Sequence, residues 1–224
     1  MLLSTRGPYC LYVYRDHALP DMHTKYPGVR IVCFADAQSF GDSHPFIESD
    51  QLLRQLYMDV MGQNVRGAKA YERVADWSYV RDRTIIDGAT VQRTLVRTIQ
   101  RKFVILPLAQ TDTGNIEVLS HVSFPLPDRH VGWIYADKEE MLQRNGFSKF
   151  NKGSHEVIKH YLKQMVENTN LCRSGKCYGY ELYRCGRYII GSDGLLGEPS
   201  EVLKAIEDVL PSDCARMTKC LEKC

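Results

Sequence analysis

The stretch FVILPLAQTDTGNIEVLSHVSF, residues 103–124, decides the fold class because two apolar runs flank a polar turn. Residues 103–108 are rich in side chains that favour strands, and residues 116–124 return to the same character. Between them, residues 111–115 read Thr-Asp-Thr-Gly-Asn, which are residue types that turns prefer. The pattern predicts an antiparallel β-hairpin with a loop longer than two residues.

Strand-like and helical segments alternate through the rest of the chain. Strands are expected over 9–15, 29–34 and 131–136, with a second hairpin over 177–190. Apolar residues at helical spacing predict helices over 49–62, 68–81, 89–101, 137–146, 154–168 and 199–211, with a last helix from 212 to the C-terminus. Hairpins separated by helices favour an α+β fold with a mainly antiparallel sheet built from hairpins.

Length and composition indicate an ordinary globular protein. The chain has 224 residues, of which 44% are hydrophobic and 25% charged, so one sizeable core is expected. We therefore predict a single domain over 1–224, with a C-terminal helical tail that begins near residue 199. The net charge of +2 and pI of about 8.1 do not by themselves indicate a nucleic-acid binder.

Membrane and secretory signals are weak in this sequence. The longest clean apolar run extends from Phe103 to Ala109, whereas a membrane-spanning helix needs about 20 apolar residues. The first residues, Met-Leu-Leu-Ser-Thr-Arg, are too short for the apolar core of a signal peptide. These observations predict a cytoplasmic protein with reduced thiols and no membrane partner.

Eight cysteines leave a structural zinc open as an alternative to reduced thiols. Cys172 and Cys177 are separated by four residues, a spacing found in zinc-binding turns. Cys220 and Cys224, four positions apart on one face of a predicted helix, could supply the second pair, with Cys185 and Cys214 as further options. Without such a zinc, no cofactor is expected.

The segment His-Glu-Val-Ile-Lys-His, residues 155–160, superficially resembles the motif of zinc proteases. That motif needs histidines four positions apart, so that both face one metal ion. His155 and His160 are five apart, which rotates them by about 140° around a helix. The spacing predicts two solvated histidines on a helix surface.

A stripe of arginines marks the helix predicted over 89–101. Arg93, Arg97 and Arg101 recur every four residues, and Lys102 follows them. Such a stripe could contact successive phosphates of a nucleic acid. The alternative is an ordinary solvated helix face, which any surface helix needs.

Polar residues in loops beside the strands are candidates for catalysis. Asp42 and His44 are two positions apart in one loop, and Asp112 lies at the predicted hairpin turn, with Asp128 or His130 as further members. A carboxylate beside an imidazole is suited to general acid–base chemistry. The alternative is that these aspartates bond their own turns. Whether the protein is an enzyme stays open, and the absence of a catalytic motif favours a binding role.

Aromatic side chains are frequent in the predicted strands. Trp133, Tyr178 and Tyr180 are the candidates for a partner-binding face, since Tyr178 and Tyr180 share one side of a strand. Core packing and cross-strand pairing are the alternative explanation.

Several short motifs occur in an order that is informative as a set. They are Val-Cys-Phe at 32–34 with Gly-Asp-Ser-His at 41–44, Ile-Leu-Pro-Leu at 105–108 with Asp-Thr-Gly at 112–114, Val-Gly-Trp-Ile-Tyr at 131–135 before Asp-Lys-Glu at 137–139, and Cys-Tyr-Gly-Tyr-Glu at 177–181. With these motifs the chain resembles a family of uncharacterised proteins carried by bacteriophages and plasmids. It departs from that pattern at Thr113, where the family often has a His-Ser pair, and at residues 192–196.

The resemblance implies a context rather than a chemistry. It implies a phage accessory protein in the cytoplasm of an infected bacterium, acting by binding a host protein or a defence complex. A small enzyme acting on nucleotides or nucleic acid is one alternative hypothesis. A nucleic-acid-binding protein that uses the arginine stripe is the other.

Overall fold

The computed structural model describes residues 2–16, 22–76, 88–214 and 216–221. By its internal contacts the chain divides into two compact units, Met1–Met22 with Asn168–Cys224 and His23–Glu167. Each unit contains one four-stranded antiparallel sheet accompanied by helices, so the predicted α+β class is confirmed. The single domain predicted over 1–224 stays a prediction.

The described residues form eight strands and seven helices. The strands are β1 (Leu2–Arg6), β2 (Tyr9–Arg15), β3 (Val29–Cys33), β4 (Phe103–Gln110), β5 (Ile116–Val118), β6 (His130–Asp137), β7 (Cys177–Arg184) and β8 (Arg187–Leu196). The helices are α1 (Met22–Lys25), α2 (Ser49–Met61), α3 (Val65–Asp76), α4 (Gly88–Ile99), α5 (Lys138–Arg144), α6 (Lys152–Arg173) and α7 (Pro199–Val209). In the described part of the chain, no helix combines the length and apolar character needed to cross a membrane.

The unit formed by the two ends of the chain has the strand order β1-β2-β7-β8. One face of this sheet packs against α7 and the residues after it, in a core that includes Leu11, Leu182, Ile206 and Met217. The last helix predicted from residue 212 is wrong over the described residues, which form turns and one short 3-10 segment at Thr218–Cys220. The strand β1 was not predicted.

The unit formed by His23–Glu167 has the strand order β3-β6-β4-β5. The hairpin predicted from residues 103–124 is present, but β5 ends at Val118 instead of continuing to residue 124. Pro125 and Pro127, which have no backbone N–H to donate to a ladder, exclude regular pairing only at their own positions, beyond the stretch 119–124. Residues 119–129 instead form an irregular segment that leaves the sheet.

One face of the second sheet packs against α2 and α4. The core there includes Leu53, Ile99, Ile105 and Trp133, all exposed by 1% or less. The Trp133 indole Nε1 donates a hydrogen bond to Ser49 Oγ at 2.7 Å. The assignment of Trp133 to a partner-binding face is therefore wrong, because this side chain is completely buried and its polar atom is already bonded inside the unit.

Replacing Ser49 with alanine should leave the Trp133 N–H buried without an acceptor. We expect Ser49→Ala to lower the free energy of unfolding by about 1–3 kcal/mol, the cost of an unsatisfied buried donor. Urea denaturation measures the change. Ser148→Ala, at an exposed serine, is the matched control and should change stability by less than about 0.5 kcal/mol. Equal stability of the two variants would show that the Trp133–Ser49 bond contributes nothing.

Candidate anion-binding site

A cleft of about 630 Å³ opens within the His23–Glu167 unit. Its walls come from α4, the start of β4, residues 120–124, the first residue of α5, and α6 with the residues just before it. Six of its lining residues carry cationic or imidazole side chains: Arg93, Arg97, His121, Lys138, His155 and Lys159. We call this site the basic cleft.

Helix α4 supplies two of the cations because its apolar residues fix its orientation. Leu95 and Ile99 are buried in the core, so the arginines one turn apart at positions 93 and 97 remain exposed. An Arg93 Nη2 atom donates to the backbone oxygen of Phe124 at 3.4 Å. This hydrogen bond connects α4 to the irregular segment that follows β5.

Lys138 enters the cleft at the beginning of α5. The preceding Asp137 caps the helix, with its Oδ1 atom accepting from the Glu139 backbone N–H at 2.8 Å. The ammonium of Lys138 donates to the backbone oxygen of Gln100 and lies 4.1 Å from the centre of the Phe150 ring. Burial lowers the pKa of Lys138. A bound anion would act in the other direction and favour its charged form.

Helix α6 supplies His155 and Lys159, one turn apart. The helix begins two residues before the predicted start, because Asn151 and Ser154 bond reciprocally: Asn151 N–H donates to Ser154 Oγ at 2.8 Å, and Ser154 N–H to Asn151 Oδ1 at 3.0 Å. This arrangement holds His155 in the first turns of α6, with its ring 5.4 Å from that of Phe150.

The environment of His155 favours the neutral imidazole. Burial is the largest cause that lowers its pKa, the charges of Lys159 and Lys138 lower it further, and Glu156 opposes them. Glu156 lies 3.4 Å from the Lys159 ammonium but is not part of the cleft lining. Among the described residues that line the cleft, none carries a carboxylate. The lining itself is thus an accumulation of positive charge, with Glu156 beside Lys159 and 4.0 Å from His155 Nδ1 as a carboxylate outside it.

Three phenylalanines complete the lining. Phe103 is buried, Phe124 is half-buried, and Phe150 is 38% exposed. An exposed ring beside cations offers a flat apolar surface to a ligand that also bears negative charge. The combination is typical of sites for phosphorylated aromatic compounds such as nucleotides.

The predicted arginine stripe is divided by the structure. Arg93 and Arg97 line the cleft, whereas Arg101 and Lys102 follow the end of α4 and lie outside the lining. The Lys102 ammonium lies 3.6 Å from Asp137 Oδ2. The helix predicted over 89–101 is therefore two residues shorter at its C-terminal end, and only its first two arginines face the cleft.

The predicted catalytic residues do not converge. Asp42 binds the edge strand β3: its Oδ2 atom accepts from the Ile31 N–H at 3.0 Å, and its own N–H donates to the Ile31 oxygen at 2.7 Å. His44 Nε2 lies 2.8 Å from the Cys33 oxygen. Asp112 is exposed in the turn between β4 and β5, while β6 separates β3 from β4. Asp42 and His44 thus fasten a loop to the sheet, at a distance from Asp112.

The further candidates Asp128 and His130 differ in their exposure. Asp128 is exposed in the irregular segment, and the His130 ring packs 5.1 Å from that of Trp133. Burial lowers the pKa of His130 and keeps this imidazole neutral. Neither residue lines the basic cleft.

The two tyrosines predicted for partner binding belong to the other unit. Tyr180 is only 3% exposed and forms part of that unit's core, so its assignment to a partner-binding face is wrong. Tyr178 is half-buried and packs against the same core. Both tyrosines lie on the side of β7 that faces the core. Alternation of aromatic residues shows that they share a side but does not show whether that side is buried.

The cysteine pairs give no metal site within the described residues. Cys172 lies on α6 and Cys177 begins β7, and both are buried. The Cys220 side chain and Cys224 lie outside the described residues. Among those described, no group of three or more His, Cys, Asp or Glu side chains is placed to hold a metal ion.

No family model matches this chain, and no match was found among curated proteins or solved structures. The assignment of a function therefore depends on the chemistry of the basic cleft itself.

The His155 imidazole should titrate below its ordinary pKa of 6.5 in the free protein, because burial and two lysines disfavour its charged form. Inorganic phosphate bound in the cleft should raise this pKa, since an anion stabilises the imidazolium. An NMR titration of the imidazole protons, with the His155→Ala variant to assign the signal, measures both values. A pKa at or above 6.5 without phosphate, or no response to phosphate, would contradict this description of the cleft.

Proposed function

We propose that this protein binds single-stranded nucleic acid through the basic cleft. The observation that carries the proposal is the convergence of Arg93, Arg97, Lys138 and Lys159 on one concave site without a lining carboxylate. Phosphate groups are the ligands that such a site favours, because each cation pairs with an anion and releases counterions.

The size and lining of the cleft favour a single strand over a duplex. A volume of about 630 Å³ is that of a small-molecule pocket and accommodates about one nucleotide. Bases that are free of pairing can stack on an exposed ring such as Phe150. A duplex presents its phosphates on a broad convex surface and keeps its bases in the stack, so it would use neither the depth nor the ring.

Further exposed cations are close in the chain to residues that line the cleft. Lys149 and Lys152 are exposed on either side of Phe150 in the chain, and Arg101 is exposed after α4. The modest net charge of +2 is compatible with this interface, because local concentration of charge matters more than the sum.

The role of a phage accessory protein that binds a host protein stays a proposal with less support. Trp133 and Tyr180 are buried, and they are two of the three residues predicted to bind a partner. Nucleic-acid binding is compatible with the same biological context.

The Arg93→Ala/Arg97→Ala double variant should weaken binding of a fluorescent single-stranded oligonucleotide by about tenfold or more. It should also make the dependence of log K on log salt shallower by about 1.4, since each phosphate that is no longer neutralised removes about 0.7 from the slope. Fluorescence anisotropy at several salt concentrations measures both quantities.

The matched control is Arg66→Ala/Lys69→Ala, which removes two exposed cations from α3, outside the cleft. This variant should bind within about twofold of the natural chain. Equal losses of affinity in the two double variants would indicate non-specific attraction, and no binding by the natural chain at low salt would overturn the proposed function.

A further inference from the structure

We propose that the basic cleft cleaves single-stranded RNA, with His155 and His121 as the two groups that transfer protons. This inference rests on the proposed nucleic-acid binding and adds a reaction to it. Its starting point is that both imidazoles line the same cleft as four cations.

His121 is held by its neighbour in the irregular segment after β5. The Ser120 hydroxyl oxygen lies 3.0 Å from His121 Nδ1, so Nε2 is the ring nitrogen that remains for a ligand. The side chain is exposed, which suits a group that must exchange protons with the substrate and then with solvent.

His155 reaches the cleft from another element, α6, and is less accessible than His121. Its environment favours the neutral imidazole, which is the form that accepts a proton. The pair thus places a half-buried ring, suited to accept a proton, and an exposed ring in one cleft, and His121 takes the acid role in this proposal. Enzymes obtain base and acid roles by placing chemically similar groups in different environments.

The chemistry that fits this pair is internal transfer of the phosphodiester to the ribose 2′-oxygen. His155 accepts the proton of the 2′-hydroxyl while the 2′-oxygen forms a bond to phosphorus. The bond from phosphorus to the 5′-oxygen breaks, and that oxygen takes a proton from His121. The products are a strand ending in a 2′,3′-cyclic phosphate and a strand beginning with a 5′-hydroxyl, so atoms and charge balance without a co-reactant.

The cations supply the remaining requirement of such a reaction. Negative charge accumulates on the non-bridging phosphate oxygens as the new bond forms, and fixed cations stabilise that charge. Arg93 and Arg97 on α4 and Lys159 on α6 line the same cleft as the two imidazoles, so they are the cations available to a phosphate bound there. RNA is the substrate because DNA lacks the 2′-hydroxyl on which the reaction depends.

The test is incubation of the full chain with a labelled single-stranded RNA in the presence of EDTA, with the DNA of the same sequence as a control. We expect slow cleavage of the RNA, a 2′,3′-cyclic phosphate at the new end, and no cleavage of the DNA. His155→Ala and His121→Ala should each reduce the rate by about 100-fold or more, the usual contribution of a general acid or base.

His160→Ala is the matched control, because this histidine is exposed on the same helix and does not line the cleft. It should leave the rate unchanged, and all three variants should bind RNA within a few-fold of the natural chain. RNA that binds but remains intact would overturn the cleavage and leave the proposed function standing. An absence of binding would overturn both, and cleavage that survives replacement of both His121 and His155 would overturn their assignment as the reacting groups.

Discussion

Burial of β4 on both faces is the constraint on which the second unit depends. Seven of its eight residues, Phe103 to Ala109, are buried. The neighbouring strands β6 and β5 cover only the edges of β4, so its two faces must be covered by other elements. A strand that is apolar on both faces must be covered on both, and α2 with α4 covers the face that carries Ile105. The position of α4 follows from this cover, and with it the position of the two arginines that enter the cleft.

The end of β5 gives the cleft its other wall. A longer β5 would have continued the hairpin and kept residues 119–124 within the sheet. The strand stops at Val118, and the Leu119 N–H donates to the Pro107 oxygen at 3.0 Å before the chain departs. His121 and Phe124 are thereby displaced toward α4, where the Arg93 guanidinium binds the Phe124 backbone. The early end of the ladder is what creates a concave site beside an otherwise closed core.

The parts of the fold that can be predicted from the sequence are those with local causes. The hairpin of β4 and β5, the helix α2 and the long helix α6 each depend on periodic apolar residues and a turn or cap nearby, and each begins within a few residues of its predicted start. The partner-binding assignment of Trp133 and Tyr180 failed because alternation marks two faces of a strand but does not say which one is buried. Only the positions of α2 and α7 decide that, and they depend on tertiary packing.

Two of the six cationic or imidazole side chains in the basic cleft were predicted from the sequence. The arginine spacing on α4 indicates a phosphate-binding face, and Arg93 and Arg97 do line the cleft. His155 and Lys159 were not predicted, although their spacing of four residues places them on one helix face. The segment that contains them resembles a metal motif, and that resemblance draws attention to His155 and His160. The residue that accompanies His155 in the cleft is Lys159. Lys138 and His121 carry no local signal, since they reach the cleft from a helix start and from an irregular segment.

A cleft lined by like charges works against the folding of the unit that contains it. Burial lowers the pKa of Lys138, and burial together with the charges of Lys159 and Lys138 lowers that of His155, so each group is less easily charged there than in water. A carboxylate in the lining would relieve the repulsion but would compete with an anionic ligand. No carboxylate is present among the described lining residues, although the core beside them is closely packed. Such a departure from what stability favours is expected where a sequence serves binding. An anion entering the cleft would supply the missing counter-charge, so ligand binding and stability of this unit should be coupled.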